Sequence, residues 1–259
     1  VTNVSITSGT TAAISTLAVQ AMGTGSVTPG NEPAAIIPVV ISSAGQQGAT
    51  FRAAVQIHNP GATASVGKLV FHPEGVVGSP SDLALPYALA AGQTSFLGDV
   101  LASIGQSGIG SMDIVVTSGP TPFASVRIYN DLGALGTLGF TEQSFRPTDA
   151  LSAGMRGIII SPFDLLFYRL NVGVRTLSAG ASIVITVKDT NGTVVRTVPR
   201  SYAANFFQQT DVASFLGGVG IGANQTITVD VVSGNLFLYG ATADNRTNDP
   251  AVLFVQSIQ

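Results

Sequence analysis

Short runs of alternating apolar and polar residues, separated by glycine, proline and asparagine, follow one another along most of this chain. A period of two is typical of strands that bury one face, and regular turn signals between such strands are typical of β-sandwiches. We therefore expect an all-β protein. The runs that predict strands are 34–41, 51–58, 66–72, 112–117, 123–129, 158–161, 167–174, 183–188, 193–198, 227–232, 236–241 and 252–258.

Two of the intervening turns carry specific signals. Asn59-Pro60-Gly61 lies between the runs 51–58 and 66–72, and its proline and glycine predict a turn that pairs these two strands as a hairpin. Asp189-Thr190-Asn191-Gly192 contains the Asn-Gly pair favoured in two-residue hairpin turns. We expect a second hairpin there.

The pattern occurs twice along the chain. Phe96–Gly110 (FLGDVLASIGQSGIG) returns as Gln208–Gly222 (QQTDVASFLGGVGIG), which aligns Asp99 with Asp211 at an offset of 112 residues. The flanking segments match at offsets between 112 and 117, so we infer two copies of one structural unit. Because each aspartate precedes a short apolar run, we expect Asp99 and Asp211 to cap short helices.

The repeat divides the chain into an N-terminal arm and linker over 1–33, a first β-sandwich over 34–147 and a second over 148–259. Each copy has about 110 residues, which is an ordinary size for one domain. Short strands with frequent turns favour two tandem Ig-like β-sandwich domains as the fold class.

Residues 1–33 have no counterpart in the second copy. VTNVSIT alternates as a strand does, while in Ala12–Met22 strand and short helix compete, with strand favoured. The arm would serve either as an edge strand of its own domain or as a strand added to a neighbouring subunit. The apolar residues that would dock in either case are Val1, Val4, Ile6, Ile14, Leu17 and Val19.

Composition favours an ordered, exported structural protein. Apolar residues make up 45% of the chain and charged residues 10%, far below the typical charged fraction of about 25%. A net charge of −3 with 11 scattered basic residues argues against nucleic acid as a partner, and no apolar run reaches the length of a transmembrane helix. The chain begins at Val1 rather than Met, as a mature secreted protein would, although a shortened chain would look the same.

Several segments also resemble a known unit. FRAAVQIHNPGATA, LAAGQTSFLGDVLASIG and ASVRIYND in the first copy, with FYRLNVGV, VKDTNGTVV and YGATADNRTNDP in the second, resemble the paired, tandem β-sandwich repeat unit of uncharacterised secreted bacterial surface proteins. The resemblance covers about residues 35–256 and departs from that unit at 1–33. It implies a sandwich fold and export to the cell surface, and it implies no biochemical activity.

Signals for catalysis and for metal binding are weak. The chain has no cysteine, no Gly-x-Ser-x-Gly elbow and no phosphate-binding loop. His58 and His72 lie on neighbouring predicted strands, but the hairpin register would separate them, so a shared metal is not favoured. We expect no catalytic residues, no metal, no cofactor and no enzymatic activity.

The densest polar segment is Asp244–Pro250 (DNRTNDP). Its oxygen ligands suit calcium, yet it lacks the glycine and distal glutamate of an EF-hand loop. The alternative, which we favour, is a structural polar cluster in which Asp244 and Asp249 pair with Arg169, because an arginine in an apolar strand needs a partner.

Aromatic residues concentrate in the second copy. They would serve either as core and interdomain packing, which we favour, or as a platform for carbohydrate. The residues are Phe163, Phe167, Tyr168, Tyr202, Phe206 and Phe207.

These features together predict an exported structural subunit that self-assembles into an extracellular filament or surface array, through strand addition by the N-terminal arm. The partner would be the protein itself. The alternative is a cell-surface adhesive or glycan-binding module.

Overall fold

The computed structural model describes residues 33–258, which form two antiparallel sheets of eight and seven strands and confirm an all-β protein. The helical elements are α1 Val212–Phe215 and 3-10 turns at Gln46–Gly48, Ala102–Ile104, Gly133–Leu135 and Pro147–Asp149. The strands of the eight-stranded sheet are β1 Ala35–Ala44, β2 Thr50–His58, β3 Ser65–Pro73, β4 Ala84–Leu89, β5 Thr94–Leu97, β6 Gly108–Ser118, β7 Phe123–Asp131 and β8 Thr137–Gln143. The strands of the seven-stranded sheet are β9 Leu151–Ser152, β10 Arg156–Ile160, β11 Tyr168–Lys188, β12 Val194–Tyr202, β13 Phe207–Asp211, β14 Thr226–Asp244 and β15 Pro250–Phe254.

The strand order of the first sheet is β4-β3-β6-β1-β2-β7-β8, and β5 also pairs with β2. The order of the second sheet is β10-β14-β11-β12, with β13 on β11 and both β9 and β15 on β14. One edge of β2 is shared by β1 and β5, and one edge of β11 is shared by β12 and β13. In each sheet, therefore, one edge of a single strand pairs with two different strands.

The two halves follow one pairing scheme. β2 pairs with β7 as the first part of β11 pairs with the second part of β14. β3 pairs with β6 as the second part of β11 pairs with the first part of β14. Gly119 and Gly234 mark the same place in each half, because both have positive φ and both lie too close to the backbone of the facing strand for a Cβ atom. The scheme gives matched positions that can be compared residue by residue.

Three local expectations differ from the structure. β2 and β3 do not form a hairpin, since β2 pairs with β5 and β7 while β3 pairs with β4 and β6; the buried Asn59 side chain after β2 donates to the carbonyls of Leu89 and Ala90 at the end of β4. The runs 167–174 and 183–188, predicted as separate strands, form the single strand β11 from Tyr168 onwards, and the runs 227–232 and 236–241 likewise form the single strand β14. The sequence Gly-Ile-Gly begins β6 in the first half but lies in the loop before β14 in the second. The Asn-Gly hairpin between β11 and β12 is confirmed.

The buried apolar residues form two main clusters. One lies within the second half and includes Leu170, Val172 and Ile185. The other lies in the first half but also contains Phe207 and Tyr239, which belong to the second half. The second half therefore completes the core of the first.

The predicted arm, with Val1, Val4, Ile6, Ile14, Leu17 and Val19, lies outside the described residues. Between Pro33 and Ile258, no helix has the length and apolar character needed to cross a bilayer.

Candidate assembly surfaces

One face of the second sheet packs on the first half, and we call it the covering face. On β11 its positions are Arg169, Asn171, Gly173 and Arg175, which alternate with residues of the second core. The register places Phe237, Tyr239, Ala241 and Ala243 of β14 opposite them, with Pro250, Val252 and Phe254 of β15 beyond.

Gly173 is required in this face because the Tyr239 ring lies over it. A Cβ atom on Gly173 would come within 1.9 Å of the ring of Tyr239, which is fully buried. The Tyr239 hydroxyl donates to Gln209 Oε1 at 2.8 Å, and the Gln209 backbone N–H donates to the Glu74 carboxylate of the first half at 2.8 Å. Apolar packing and polar contacts therefore both join the halves.

A buried charge network crosses the same contact. Arg175 has no exposed surface, and its Nη2 donates to Asp113 Oδ1 at 2.9 Å. His72 places Nε2 3.0 Å from Asp113 and Nδ1 2.8 Å from Asp82. Because both ring nitrogens face carboxylates, only the doubly protonated imidazolium satisfies both contacts. Two positive and two negative groups thus balance one another between the halves.

Burial alone would lower the pKa of His72, but its hydrogen bond to Asp113, the charge of Asp113 and its hydrogen bond to Asp82 outweigh burial and raise the pKa above its usual value. Burial likewise opposes ionisation of Asp113, while the hydrogen bond from His72 and the charge of Arg175 lower the pKa of this carboxyl overall. Both shifts therefore favour the charged forms of His72 and Asp113.

Glu142 of β8 is a second buried titratable group. It is 8% exposed, and neither carboxyl oxygen has a hydrogen-bond partner among residues 33–258. Burial raises the pKa of Glu142 well above its usual range, and the nearby backbone N–H of Val39 offsets this only in part. Burial of Tyr239 raises the pKa of its hydroxyl, and Glu142 and Glu74 add to this shift. Burial therefore favours the neutral form of Glu142.

The covering face lies over a set of first-half residues that we call the covered apolar surface. A cavity of about 90 Å³ remains between the two. The covered apolar surface comprises Val39, Ile41, Phe51, Ile109, Ile128 and Phe140.

One position in the corresponding part of the second half is exposed, although its neighbours Val172 and Gly240 are buried. Val126 pairs with Val55 and Glu142, whereas Gly240 pairs with Val172 and Leu253, so Leu253 occupies the matched position of the buried Glu142. Leu253 is 64% exposed. We use the name uncovered apolar surface for the exposed apolar residues of the second half that comprise Leu253, Ile160, Phe163 and Leu166; the last three are 64%, 71% and 86% exposed.

Polar contacts hold the loop that carries Phe163 and Leu166 of this surface. Asn245 donates from its side chain to the carbonyl of Leu166 and from its backbone to that of Phe167. The Phe163 ring packs against Tyr168, with 5.5 Å between centroids. Arg246 lies over the Phe167 ring at 4.8 Å. These contacts therefore stabilise the loop from which Phe163 and Leu166 extend.

The structural polar cluster has different partners from those expected. Arg169 forms no ion pair with Asp244 or Asp249; its Nη2 donates to Asn248 Oδ1 at 2.7 Å and its Nη1 faces Asn245 Oδ1 at 3.3 Å. Asp244 instead accepts from the backbone N–H groups of Arg246 and Thr247, because its carboxylate closes the loop. The fully buried, paired arginine is Arg175.

The other residues for which the sequence predicted or considered a role do not lie together. Asp211 is the N-cap of α1 and accepts from the Ser214 N–H, while Asp99 accepts from the Ala102 N–H at a 3-10 turn and also from Ser42 and Arg52. His58 contacts Thr94, far from the His72 network. In the described part of the chain, no group of His, Asp and Glu side chains could hold a metal ion.

The aromatic residues lie in different environments. Phe207 is fully buried, and Tyr202 stacks on Phe206 at 6.2 Å, so these residues pack as expected. Phe163 is exposed and lies on the uncovered apolar surface.

Sequence reasoning missed Asp113, Arg175 and Glu142. Asp113 and Arg175 are the lone charges within the runs Met112–Val116 and Val172–Leu177, and a lone charge in a buried strand is a signal for a buried pair. Glu142 gave no such signal, because Thr141 and Gln143 flank it. Comparison with protein-family models, curated proteins and solved structures found no match to this chain.

Proposed function

We propose that the chain is an exported structural subunit that self-assembles head to tail into an extracellular filament or surface array. The observation that carries the proposal is that Leu253 of the uncovered apolar surface is exposed, whereas Glu142 at the matched position of the first half is buried by another part of the same chain. Large exposed apolar patches on otherwise polar surfaces mark interaction sites. The occupant that we propose is a second copy of the chain.

The finer fold assignment belongs to this proposal. The shared pairing scheme and the two apolar clusters support two tandem Ig-like β-sandwiches. In such a fold, the uncovered apolar surface is the open end of the second sandwich.

The acceptor that we propose is the free edge of β10. β10 pairs with β14 on one side, and on its other side the described residues contribute only the bridge between Arg156 and Ile258. The predicted arm over 1–22 is uncharged and alternates in VTNVSIT. Added to β10 of the next copy, its apolar side chains would cover Ile160 and neighbouring residues, and a heterologous contact of this kind propagates into an open filament.

Electron microscopy and sedimentation of the full chain and of a chain lacking residues 1–22 test the proposal. We expect filaments or arrays from the full chain and folded monomers from the shortened one. Equal assembly by both would contradict strand addition by the arm. A monomeric full chain that binds selectively on a glycan array would instead favour the adhesive alternative.

A further inference from the structure

The two sheets carry an arginine at matched positions, with different surroundings. Arg52 of β2 lies opposite Tyr129 of β7, and Arg169 of β11 lies opposite Ala243 of β14 in the same scheme. Both side chains are partly exposed. A difference between the partners of the two arginines therefore reflects a difference between the two halves at this position.

Arg52 is neutralised by two carboxylates. Its Nη1 lies 2.9 Å from Asp99 and its Nε 3.1 Å from Asp131. The hydrogen bond to Asp99, followed by that to Asp131, raises the pKa of Arg52. In the first half, the charge at this position is satisfied within the chain.

Arg169 faces neutral oxygens instead. Asn245 follows Asp244 as Asp131 follows Asn130, so an amide replaces the carboxylate at the matched position. The nearest contacts of Arg169 are Asn248 Oδ1, Asn245 Oδ1 and the Asp244 carbonyl, and it has no ion pair within residues 33–258. Burial lowers the pKa of Arg169, and the charge of Asp244 opposes this only in part.

Arg169 also lines the cavity between the covering face and the covered apolar surface. The cavity has a volume of about 90 Å³ and is partly open to solvent. An apolar cavity of about 150 Å³ holds benzene, so by proportion the cavity suits about four non-hydrogen atoms, and its open side admits a molecule one atom longer. Its polar side chains include Arg169, Asn171 and Gln209, and most of the remaining lining is apolar. Because Gln209 accepts from Tyr239 through Oε1, its NH₂ group is the one that can donate to a ligand.

We propose that this cavity binds a small carboxylate with a short apolar tail, of which propionate is the probe, with the carboxylate on Arg169 and the tail against Ile128 and Phe140. A carboxylate matches the planar guanidinium through two parallel hydrogen bonds. It supplies the countercharge that Asp131 supplies to Arg52. The apolar walls favour the tail over water.

Isothermal titration calorimetry of the full chain with sodium propionate tests the site, against propionamide and sodium chloride at equal ionic strength. We expect saturable binding of propionate at millimolar concentration, and binding of the uncharged, similarly shaped propionamide that is weaker by about tenfold or more. Equal binding of the two, or no saturable binding up to about 100 mM propionate, would overturn the proposal.

Three variants locate the binding. Arg169→Gln is expected to abolish propionate binding, whereas Arg52→Gln, at the matched position, retains it. Asn245→Asp restores the countercharge found in the first half, so we expect a higher melting temperature without ligand and an affinity for propionate that is lower by about tenfold. Because Asn245→Asp should fold at least as well as the native chain, unchanged propionate binding in this variant would also overturn the proposal.

Discussion

The outer faces of β2 and β11 occupy matched positions and have opposite environments. On β2 this face carries Arg52, Ala54, Gln56 and His58, all partly or fully exposed. On β11 it carries Arg169, Asn171, Gly173 and Arg175, and from Gly173 onwards it is buried against the first half. A repeated unit thus acquires two roles through a few side chains, since Gly173 admits the Tyr239 ring and Arg175 meets Asp113.

The inner faces also differ in burial, but here the first half is the buried one. At the matched positions of β8 and β15, the first half buries Glu142 and the second exposes Leu253. A buried carboxyl without a partner costs free energy, and enclosure by the covering face is the source of this cost at Glu142. The exposure of Leu253 is explained if another copy covers it.

Removing Asp113 should have the largest effect on folding. Asp113→Ala leaves Arg175 and His72 buried without their shared countercharge, so we expect the free energy of unfolding to fall by about 3–5 kcal/mol. Asp230→Ala is the matched control, since it breaks the exposed pair with Arg156 in the second half and should change stability little. Urea denaturation measures both. A similar fall in the free energy of unfolding in the two variants would contradict the claim that the network joins the halves.

Filling the space over Gly173 should have the next largest effect. Gly173→Ala places a methyl group against the buried Tyr239 ring, and we expect a loss of about 2–3 kcal/mol in the free energy of unfolding. Gly220→Ala is the control, because a Cβ atom there meets nothing within 4 Å and Gly220 is not among the glycines with positive φ. Thermal denaturation of both variants separates tight packing from a general effect of glycine replacement.

Exchanging the matched residues Glu142 and Leu253 should have a smaller, pH-dependent effect. Because the folded pKa of Glu142 is raised, its contribution to stability is complete below its unfolded pKa, near 4.5, and is lost as the pH rises through the folded value. We expect Glu142→Leu to stabilise the chain by about 1–2 kcal/mol near neutral pH, with a gain that grows towards alkaline pH. Leu253→Glu should leave stability nearly unchanged.

The raised pKa of His72 adds a dependence of the same sign. Its stabilisation is complete below about pH 6.5 and is lost as the pH rises through the folded value. Glu142→Gln, which stays neutral at every pH, removes the glutamate contribution and leaves that of His72. Urea denaturation between pH 5 and 9 checks this, and a slope that is the same in Glu142→Gln and the native chain would contradict the assignment to Glu142.

The all-β class, most strands and the Asn-Gly hairpin could be predicted because they depend on local alternation and turn chemistry. The repeat could be found because Asp99 and Asp211 keep the same local role. The contact between the halves could not be predicted, because it depends on which face of β11 is covered, and alternation alone does not distinguish a solvated face from a covered one. For the same reason, sequence analysis singled out Arg169 rather than Arg175, six residues further along the same face.

Sedimentation velocity of variants on the uncovered apolar surface tests the central claim most directly. Leu166→Ser changes this surface, and Leu135→Ser is the matched control, since Leu135 lies in the first half and is 88% exposed against 86% for Leu166. We expect the full chain and Leu135→Ser to form the same concentration-dependent assemblies, and Leu166→Ser, alone or with Leu253→Glu, to sediment as a folded monomer. Assemblies of unchanged size in the double variant would contradict the claim that a second copy covers this surface.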